Sequence, residues 1–280
     1  MKIGLTMFST EYAIGPVELG RAAEERGFES IFFPEHTHIP VSRRSPWPGG
    51  DDLPEHYRHT LDPFAALAAI VAVTERVLLG TGICLVVERD PIITAKEVAT
   101  LDVLSGGRFL FGIGGGWNYE EMENHGTDPR KRWRLMRERV LAMKEIWTKE
   151  VAEFHGEFVD FEPLWQWPKP VQQPHPPILV AGNGPRTLER VLEYGDGWIP
   201  IAGRGQVPLG QQIAELRALC AERRRDPVPV TVFGARATPE VLEHYVESGV
   251  DRCLLSVPPE PAAEVLPLLD TYADLMAKVG

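Results

Sequence analysis

A glutamate and a histidine stand side by side where a short apolar segment of the chain ends. Glu35 and His36 directly follow the run Ser-Ile-Phe-Phe-Pro at positions 30–34. An imidazole titrates near neutral pH, so His36 can accept or donate a proton, or hydrogen-bond a bound ring. The alternative is a histidine that only caps a loop. The sequence therefore nominates His36 as a candidate catalytic residue, with Glu35 either orienting the imidazole or capping the loop.

The histidines near this pair raise the alternative of a metal site. His36 and His38 have the H-x-H spacing of amidohydrolase-type barrels, and His56 and His59 follow in the same long connection. A bound metal needs several converging nitrogen or oxygen donors. Later apolar segments end in Ala-Gly-Asn-Gly, Ile-Ala-Gly and Ser-Val-Pro, which offer no further histidine or aspartate. We therefore expect no metal site.

Glycines interrupt two other apolar segments. Gly80 and Gly82 indicate either a bulge with a close backbone approach or tight packing against a neighbouring element. The run Gly-Ile-Gly-Gly-Gly-Trp at 112–117 fails the dinucleotide pattern G-x-G-x-x-G, because its sixth residue is tryptophan. Glycines still let a flat ligand approach the main chain, so Gly114 and Gly115 are candidate ligand contacts.

A third glycine-rich turn has the features of an anion-binding site. Gly182, Asn183 and Gly184 follow an apolar segment and precede a helical pattern that begins near Arg186 and Thr187. Main-chain N–H groups at a helix N-terminus attract phosphate, and a guanidinium and a hydroxyl add donors. Ordinary turns between a strand and a helix also carry glycine, and Arg186 can instead pair with acids on its own helix. The turn is our candidate phosphate site.

These candidates lie at the ends of elements that alternate along the chain. Eight short β-rich runs are separated by helical patterns, several of which begin at proline and end at glycine. This alternation predicts parallel strands covered by helices, and eight units is the number in a closed (β/α)8 TIM barrel. The alternative is a doubly wound open sheet. The strands are predicted at 2–8, 30–34, 77–83, 108–113, 177–181, 197–201, 228–233 and 251–257.

Three connections are longer than simple turns, namely 35–62, 114–128 and 150–176. The first two begin at the carboxyl end of a predicted strand, the end that carries the active site in a barrel. We expect these inserted loops to line or cover that site. The third has alternating apolar residues around a His-Gly pair, which predicts a β-hairpin.

The composition is that of a globular protein with an acidic balance. The 280 residues include 29 lysines and arginines against 40 acids, a net charge of −11, which disfavours nucleic acid and anionic membranes. Three scattered cysteines indicate neither a disulfide framework nor a zinc cluster. The N-terminal apolar run is too short for a signal peptide, and no run reaches the length of a membrane span. We expect one cytoplasmic domain over residues 1–280.

Four stretches of the chain carry a resemblance to a known family: FFPEHTHIP, AIVAVTERVLLGTGICLV, LSGGRFLFGIGGGW and GNGPRTLERVLEYGDGW. With them the chain resembles the luciferase-like monooxygenase superfamily of flavin- and deazaflavin-dependent (β/α)8 oxidoreductases. Within that superfamily it is similar to the actinobacterial group described as coenzyme F420-dependent oxidoreductases. The last two stretches are the most specific, and the C-terminal third fits by pattern only.

The resemblance implies a cofactor that lies across the C-terminal mouth of the barrel. In relatives a non-prolyl cis peptide supports the cofactor ring, and it maps to Gly82–Ile83. The resemblance therefore implies that Gly82, Ile83 and the adjoining Cys84 contact the cofactor. Glu35-His36 map to an acid–histidine pair whose acid is commonly aspartate in deazaflavin relatives. The phosphate end maps to the turn from Gly182 to Thr187. Trp117 stands where some deazaflavin dehydrogenases carry a proton-donating glutamate, so that role does not transfer.

Three functions follow as expectations from the resemblance. The first is a coenzyme F420-dependent oxidoreductase that transfers a hydride between the deazaflavin and an unidentified small organic substrate. The alternative is an FMN-dependent monooxygenase that uses O2 and reduced flavin from a separate reductase. A barrel that binds cofactor without turnover is the third. The resemblance also implies a homodimer or a larger homo-oligomer.

Overall fold

The computed structural model describes residues 1–50 and 52–279. Within these residues, eight strands form one parallel sheet and two pair antiparallel as a hairpin. In chain order the strands are β1 (Lys2–Thr6), β2 (Ser30–Phe33), β3 (Leu78–Thr81), β4 (Phe109–Ile113), β5 (Ala152–His155), β6 (Asp160–Leu164), β7 (Ile178–Ala181), β8 (Gly197–Ile199), β9 (Thr231–Ala235) and β10 (Arg252–Ser256).

Helices follow or precede each barrel strand and cover the sheet from outside. They are α1 (Pro16–Glu25), α2 (Pro63–Val71), α3 (Pro91–Ser105), α4 (Tyr119–Asn124), α5 (Arg132–Thr148), α6 (Thr187–Tyr194), α7 (Leu209–Glu222), α8 (Pro239–Ser248) and α9 (Ala262–Val279). A short 3-10 helix spans Glu55–His59. Among the described residues, no helix combines the length and the apolar character needed to cross a membrane.

The parallel sheet closes on itself. Its strand order is β8-β7-β4-β3-β2-β1-β10-β9. Two isolated parallel bridges, Trp198 with Val230 and Ile201 with Phe233, join the two ends of that order. The predicted (β/α)8 barrel is therefore confirmed, because an open doubly wound sheet would leave its outer strands apart.

Helices α2 and α3 each begin with an aspartate cap followed by a proline. Asp62 precedes α2 and Asp90 precedes α3, and each side chain accepts main-chain N–H groups of the first turn at 2.9 Å. Pro63 and Pro91 occupy the first helical position, where no N–H partner is needed. Gly106 ends α3 with a φ of +65°, the left-handed conformation that glycine tolerates.

The interior of the barrel is filled by apolar side chains from alternate positions of its strands. One compact cluster contains a residue from each of five strands, and all five are buried: Phe32, Leu110, Leu179, Ile199 and Leu254. A larger cluster lies between the strands and the surrounding helices. This packing makes the barrel a rigid support for the loops at its ends.

The long connections contain more structure than the sequence indicated. The hairpin predicted within 150–176 is confirmed as β5 and β6. The connection after β4 contains α4, which the sequence pattern did not predict because six residues are too few to show a helical apolar period. The connection after β2 likewise contains the 3-10 helix.

Candidate active site

A cleft opens at the carboxyl ends of the barrel strands. It has a volume of about 250 Å³, and seven of the eight barrel strands, or the connections after them, contribute to its lining. Phe8 follows β1, His36 follows β2, Ile83 follows β3 and Trp117 follows β4. Closure of a parallel barrel brings such strand ends to one place. The long connections after β2 and β4 both line the cleft, as expected.

The floor of the cleft includes a cis peptide bond between Gly82 and Ile83. The bond expected from the family resemblance is thus confirmed. A Cβ atom on Gly82 would lie 2.8 Å from the ring of Phe233, and one on Gly80 would overlap the ring of Phe32. Close packing inside the barrel therefore requires both glycines, while Gly82 also lines the cleft.

Gly114 and Gly115 line the cleft beside this floor. A Cβ atom on Gly114 would overlap the side chain of Ile83, and one on Gly115 would overlap the indole of Trp133. Without side chains, these glycines present only main-chain atoms to the cleft. The glycine run therefore lets the end of β4 pack closely against the floor and against α5.

Cys84 lies behind the floor and outside the cleft lining. Its side chain is fully buried, and burial raises the pKa of the thiol well above its usual value. Its N–H donates to the carbonyl of Gly112 at 2.8 Å, and its own carbonyl accepts the N–H of Gly114 at 3.1 Å. The main chain of Cys84 thus joins the end of β3 to β4, and its thiol lies outside the cleft.

The carboxylate of Glu35 is buried at the edge of the floor. Its Oε2 accepts the N–H of Leu85 at 2.6 Å, and its Oε1 accepts Nε–H of Arg89 at 2.5 Å. Arg89 in turn pairs with two further carboxylates. Glu35 therefore braces the end of β2 against the segment after β3. The hydrogen bond with the imidazole of His36 is made by a different residue.

That other residue is Glu121, which the sequence did not single out. Its Oε2 lies 2.7 Å from Nδ1 of His36, and both side chains are buried. An ionised carboxylate only accepts, so Nδ1 donates this hydrogen bond. Within the described residues the imidazole forms no other hydrogen bond, and the rings of Tyr57 and Trp117 flank it with centroids 5.2 and 5.8 Å away. Nε2 is therefore available to a ligand in the cleft.

The other histidines after β2 do not converge on a common point. His38 bonds to neighbouring polar side chains, His59 pairs with Glu11 at 2.6 Å, and His56 stacks on Tyr57. Throughout the described part of the chain, no three histidine, cysteine or acidic side chains are grouped as they would be to hold a metal ion. These histidines instead order the connection itself.

Helix α4 anchors that connection over the cleft. Ser45 donates its N–H to Oε1 of Glu120 at 2.9 Å and its hydroxyl to the other oxygen, while Arg44 pairs with Glu123. Burial acts to raise the pKa of Glu120, but the hydrogen bonds from Ser45 and the main chain outweigh it and lower the pKa to about 2. Glu120 is therefore ionised at neutral pH and holds the connection that carries Tyr57.

The turn after β7 is divided between the cleft and a second cavity beside it. Gly182 lines the cleft, whereas Asn183 and Gly184 line the second cavity. Thr187 is buried, and its N–H donates to the carbonyl of Gly184 at 3.0 Å. Arg186 is exposed and lies outside the lining of both cavities. The structure thus brings the three turn residues to the cavities and leaves Arg186 away from them.

Arg204 lines both cavities, although no motif set it apart in the sequence. It lies in the connection after β8, which is held by the side chain of Asn183. The N–H of Ile201 donates to Oδ1 of Asn183 at 2.9 Å, and Nδ2 donates to the carbonyl of Arg204 at 3.1 Å. Burial raises the pKa of Tyr57, and the charge of Arg204 opposes that shift. Arg204 is therefore the cationic side chain that joins the cleft to the second cavity.

A sequence model of the luciferase-like monooxygenase family matches residues 15–241. The chain belongs to this family. The match runs from the start of α1 into α8 and contains every cleft residue described above except Phe8. The resemblance seen in the sequence is confirmed, and the protein is an oxidoreductase of the luciferase-like class.

Relatives of this luciferase-like protein include one of matching length. An uncharacterized protein of Mycobacterium tuberculosis is 39% identical over 282 residues, covering 99% of both chains. The F420-dependent glucose-6-phosphate dehydrogenase of Kineococcus radiotolerans is 31% identical over 209 residues, which are 73% of this chain and 58% of that protein. The structure of monooxygenase RslO1 from Streptomyces bottropensis matches with a TM-score of 0.79 at 20% identity, covering 99% of both chains, and supports the fold.

Replacement of Glu35 by glutamine should destabilise the barrel. Glu35→Gln removes the charge that accepts from Leu85 and Arg89, and hydrogen bonds to charged groups are worth about 1.5–3 kcal/mol. We expect the free energy of unfolding, measured in urea, to fall by about 3 kcal/mol. Glu97→Gln removes a more exposed partner of the same arginine and should lower it by less than about 1 kcal/mol. Equal losses in the two variants would contradict a bracing role for Glu35.

Proposed function

We propose that the protein is a coenzyme F420-dependent oxidoreductase that transfers a hydride between the deazaflavin and a small organic substrate. The observation that carries the proposal is the imidazole of His36, which bonds Glu121 through Nδ1 and lines the cleft. Interconversion of an alcohol and a carbonyl moves a proton as well as a hydride, and this imidazole can handle the proton. The 31% identical relative named as an F420-dependent dehydrogenase supports the same assignment.

The cleft and the second cavity suit a cofactor with a flat ring and a phosphate-bearing tail. Glycine main chain and Ile83 form the floor, which fits an apolar ring face. The second cavity adjoins the cleft through Ile201 and Arg204, which line both. Arg204 and the turn at Gly184 would hold the phosphate, because a guanidinium and main-chain N–H groups are good phosphate donors.

The protein's part in the reaction is to handle the proton and position the substrate. When bound, the cofactor supplies the hydride chemistry. The hydrogen bond to Glu121 favours the tautomer with the proton on Nδ1, in which Nε2 carries a lone pair. Nε2 therefore accepts the hydroxyl proton of the substrate in oxidation and returns a proton to oxygen in reduction. Tyr57 and Trp117 exclude water around it.

The walls around His36 favour an uncharged substrate. Tyr57 and Trp117 flank the imidazole, Phe8 packs on Tyr57 with ring centroids 4.6 Å apart, and Trp47 completes the aromatic wall. An anion placed against these rings, away from Arg204, would lose its hydration without gaining a donor. We therefore propose that the substrate is an alcohol or ketone with an aliphatic or aromatic body.

One observation favours an FMN-dependent monooxygenase as the second candidate. Trp117 lines the cleft where some deazaflavin dehydrogenases carry a glutamate, so the site lacks that acid at this position. A flavin carries its phosphate on a similar tail, so the same two cavities would accommodate it. In that case O2 and reduced flavin from a separate reductase would replace the hydride exchange.

Parallel assays separate the two candidates. The protein is incubated with coenzyme F420 and a panel of uncharged alcohols, and reduction of the deazaflavin is followed by its absorbance. The same preparation is given reduced FMN, and oxygen uptake that depends on substrate is recorded. We expect deazaflavin reduction in the first assay only. Oxygen uptake in the second assay alone would replace the proposal with the monooxygenase, and turnover in neither would indicate a barrel that only binds cofactor.

Loss of the imidazole should slow the reaction without releasing the cofactor. His36→Ala removes the group that exchanges a proton with the substrate, and we expect kcat to fall by about 10²–10⁴-fold. The dissociation constant of the cofactor should change much less, because the floor and the phosphate site remain. His38→Ala, two residues along the same connection, is the matched control and should keep nearly full activity. Similar kcat values in the two variants would assign His36 to packing.

Arg204 should contribute to cofactor affinity and Arg186 should not. A charge-assisted hydrogen bond is worth about 1.5–3 kcal/mol, so Arg204→Ala should weaken cofactor binding by about ten- to a hundredfold. Arg186→Ala removes the same charge from an exposed position outside both cavities and should leave affinity nearly unchanged. The dissociation constants are measured at two salt concentrations. A larger loss of affinity in Arg186→Ala than in Arg204→Ala would refute this placement of the phosphate.

A further inference from the structure

Two glutamates lie behind the imidazole of His36, outside the lining of the cleft. Glu121 is fully buried, and Glu88 is 8% exposed. Neither oxygen of Glu88, nor Oε1 of Glu121, has a hydrogen-bond partner among the described residues. A buried carboxylate without a donor is unfavourable, so such a pair is stabilised by holding a proton.

The charged groups that face Glu88 come from several parts of the fold. Glu121 belongs to α4, Glu35 follows β2, Arg89 is the next residue of the chain, and Arg139 lies on α5. Burial, followed by the charges of Glu121 and Glu35, raises the pKa of Glu88 to about 9, and the two arginines offset this only in part. Glu88 therefore carries a proton at neutral pH.

A histidine nearer the surface connects Glu88 with solvent. Nε2 of His125 lies 3.9 Å from Oε2 of Glu88, and the imidazole is 30% exposed. The same nitrogen lies 2.8 Å from Oγ1 of Thr37, an exposed side chain after β2. Burial, and then the charge of His38, lowers the pKa of His125. The ring is therefore largely neutral at pH 7 and can accept a proton from inside and release it to water.

His36 itself has little contact with solvent. It is only 9% exposed before any ligand enters the cleft. A cofactor and a substrate in the cleft would cover its Nε2 side, so a proton taken from the substrate would have no direct way out. The acids behind the ring, Glu121 and Glu88, offer the proton a path on the Nδ1 side of the imidazole.

We propose that Glu121, Glu88 and His125 form a proton route between His36 and solvent. The inference rests on the proposed function, because it takes His36 as the group that exchanges a proton with the substrate. The route explains why two buried carboxyl groups, with three oxygens that lack a partner among the described residues, are placed behind one imidazole. It also gives α4 a chemical role in addition to its anchoring role.

The steps balance in protons and electrons. In oxidation, Nε2 of His36 gains the hydroxyl proton of the substrate, and Nδ1 passes its proton to Glu121. The acid pair then holds one proton more than at rest, and Glu88 releases a proton through His125 to water. The electron pair leaves the substrate as the hydride. Once product has left, Glu121 passes its proton to Glu88, and the imidazole returns to its Nδ1–H form by exchange with water in the open cleft.

Infrared spectroscopy of the protein without cofactor tests the stored proton. A protonated carboxyl group has a C=O stretch that is distinct from the bands of a carboxylate. We expect such a band at pH 7, disappearing only when the pH is raised well above the ordinary range of a carboxyl group, and we expect it to be absent from Glu88→Gln. Glu121→Gln removes the neighbouring charge and should move the midpoint to lower pH. Glu120→Gln removes an ionised acid of the same helix and should keep the band.

The absence of this band in the wild type at pH 7, or its persistence in Glu88→Gln, would overturn the proposal. All three glutamine variants exchange a carboxyl for an amide of the same size, so the fold should be retained, and circular dichroism checks that it is. An unchanged midpoint in Glu121→Gln would show that the two acids are not coupled and would equally overturn the route.

Steady-state kinetics then test whether protons travel along the route during turnover. Glu88→Gln keeps the shape of the side chain but cannot release a proton, so we expect kcat to fall by about tenfold with KM nearly unchanged. The solvent deuterium isotope effect on kcat should rise. An unchanged kcat would overturn the route even with the band present. Absence of turnover in the wild type with F420 would overturn the proposed function and the route with it, while the infrared band would still show a proton held at Glu88.

Discussion

The carboxylate of Glu35 joins the two strand ends on which the cleft is built. It accepts from the main chain of Leu85 and from the guanidinium of Arg89, and all three groups are largely removed from water. Removing an ion pair from water is costly, so a buried ion pair fixes the positions of its two residues only when their donors and acceptors are hydrogen-bonded. The carboxylate of Glu35 meets this condition through Leu85 and Arg89. Glu35 directly precedes His36, and Leu85 closely follows the cis bond at the floor. The hydrogen bonds of Glu35 therefore fix the position of both the imidazole of His36 and the floor of the cleft.

Glu35 and two acids near it, Glu121 and Glu88, have different partners because their surroundings differ. Glu35 is matched by Arg89, Glu121 faces the imidazole of His36, and Glu88 is buried with no donor among the described residues and has a raised pKa. All three are glutamates, so their different roles come from burial and neighbouring charge. Glu35 braces the strand ends, Glu121 orients His36, and Glu88 is the residue proposed to hold a proton. The polar interactions lie behind the cleft, while its own walls are mainly apolar. That division places proton chemistry beside a cleft whose lining is mainly apolar.

The barrel could be predicted from the sequence because each strand is a short apolar run followed by a helix with its own start and stop signals. The position of His36 followed from the same logic, since a residue after a barrel strand faces the common mouth. Glu121 could not be found this way. It lies 85 residues from His36 on a six-residue helix, and only closure of the barrel makes the two neighbours. Arg204 lies in a loop without a motif, so the sequence offered Arg186, and not Arg204, as the cation of the candidate phosphate site.

A side-by-side titration of the purified protein with coenzyme F420 and with FMN tests the central claim most directly. Both ligands carry a tricyclic ring and a phosphate-bearing tail, so under the proposed function they would compete for the same cleft and second cavity. Binding is followed by the change in fluorescence of each ligand, under the same salt and pH. The proposed function predicts saturable binding of F420 with a dissociation constant well below that of FMN. Tighter binding of FMN, or no saturable binding of F420, would contradict it.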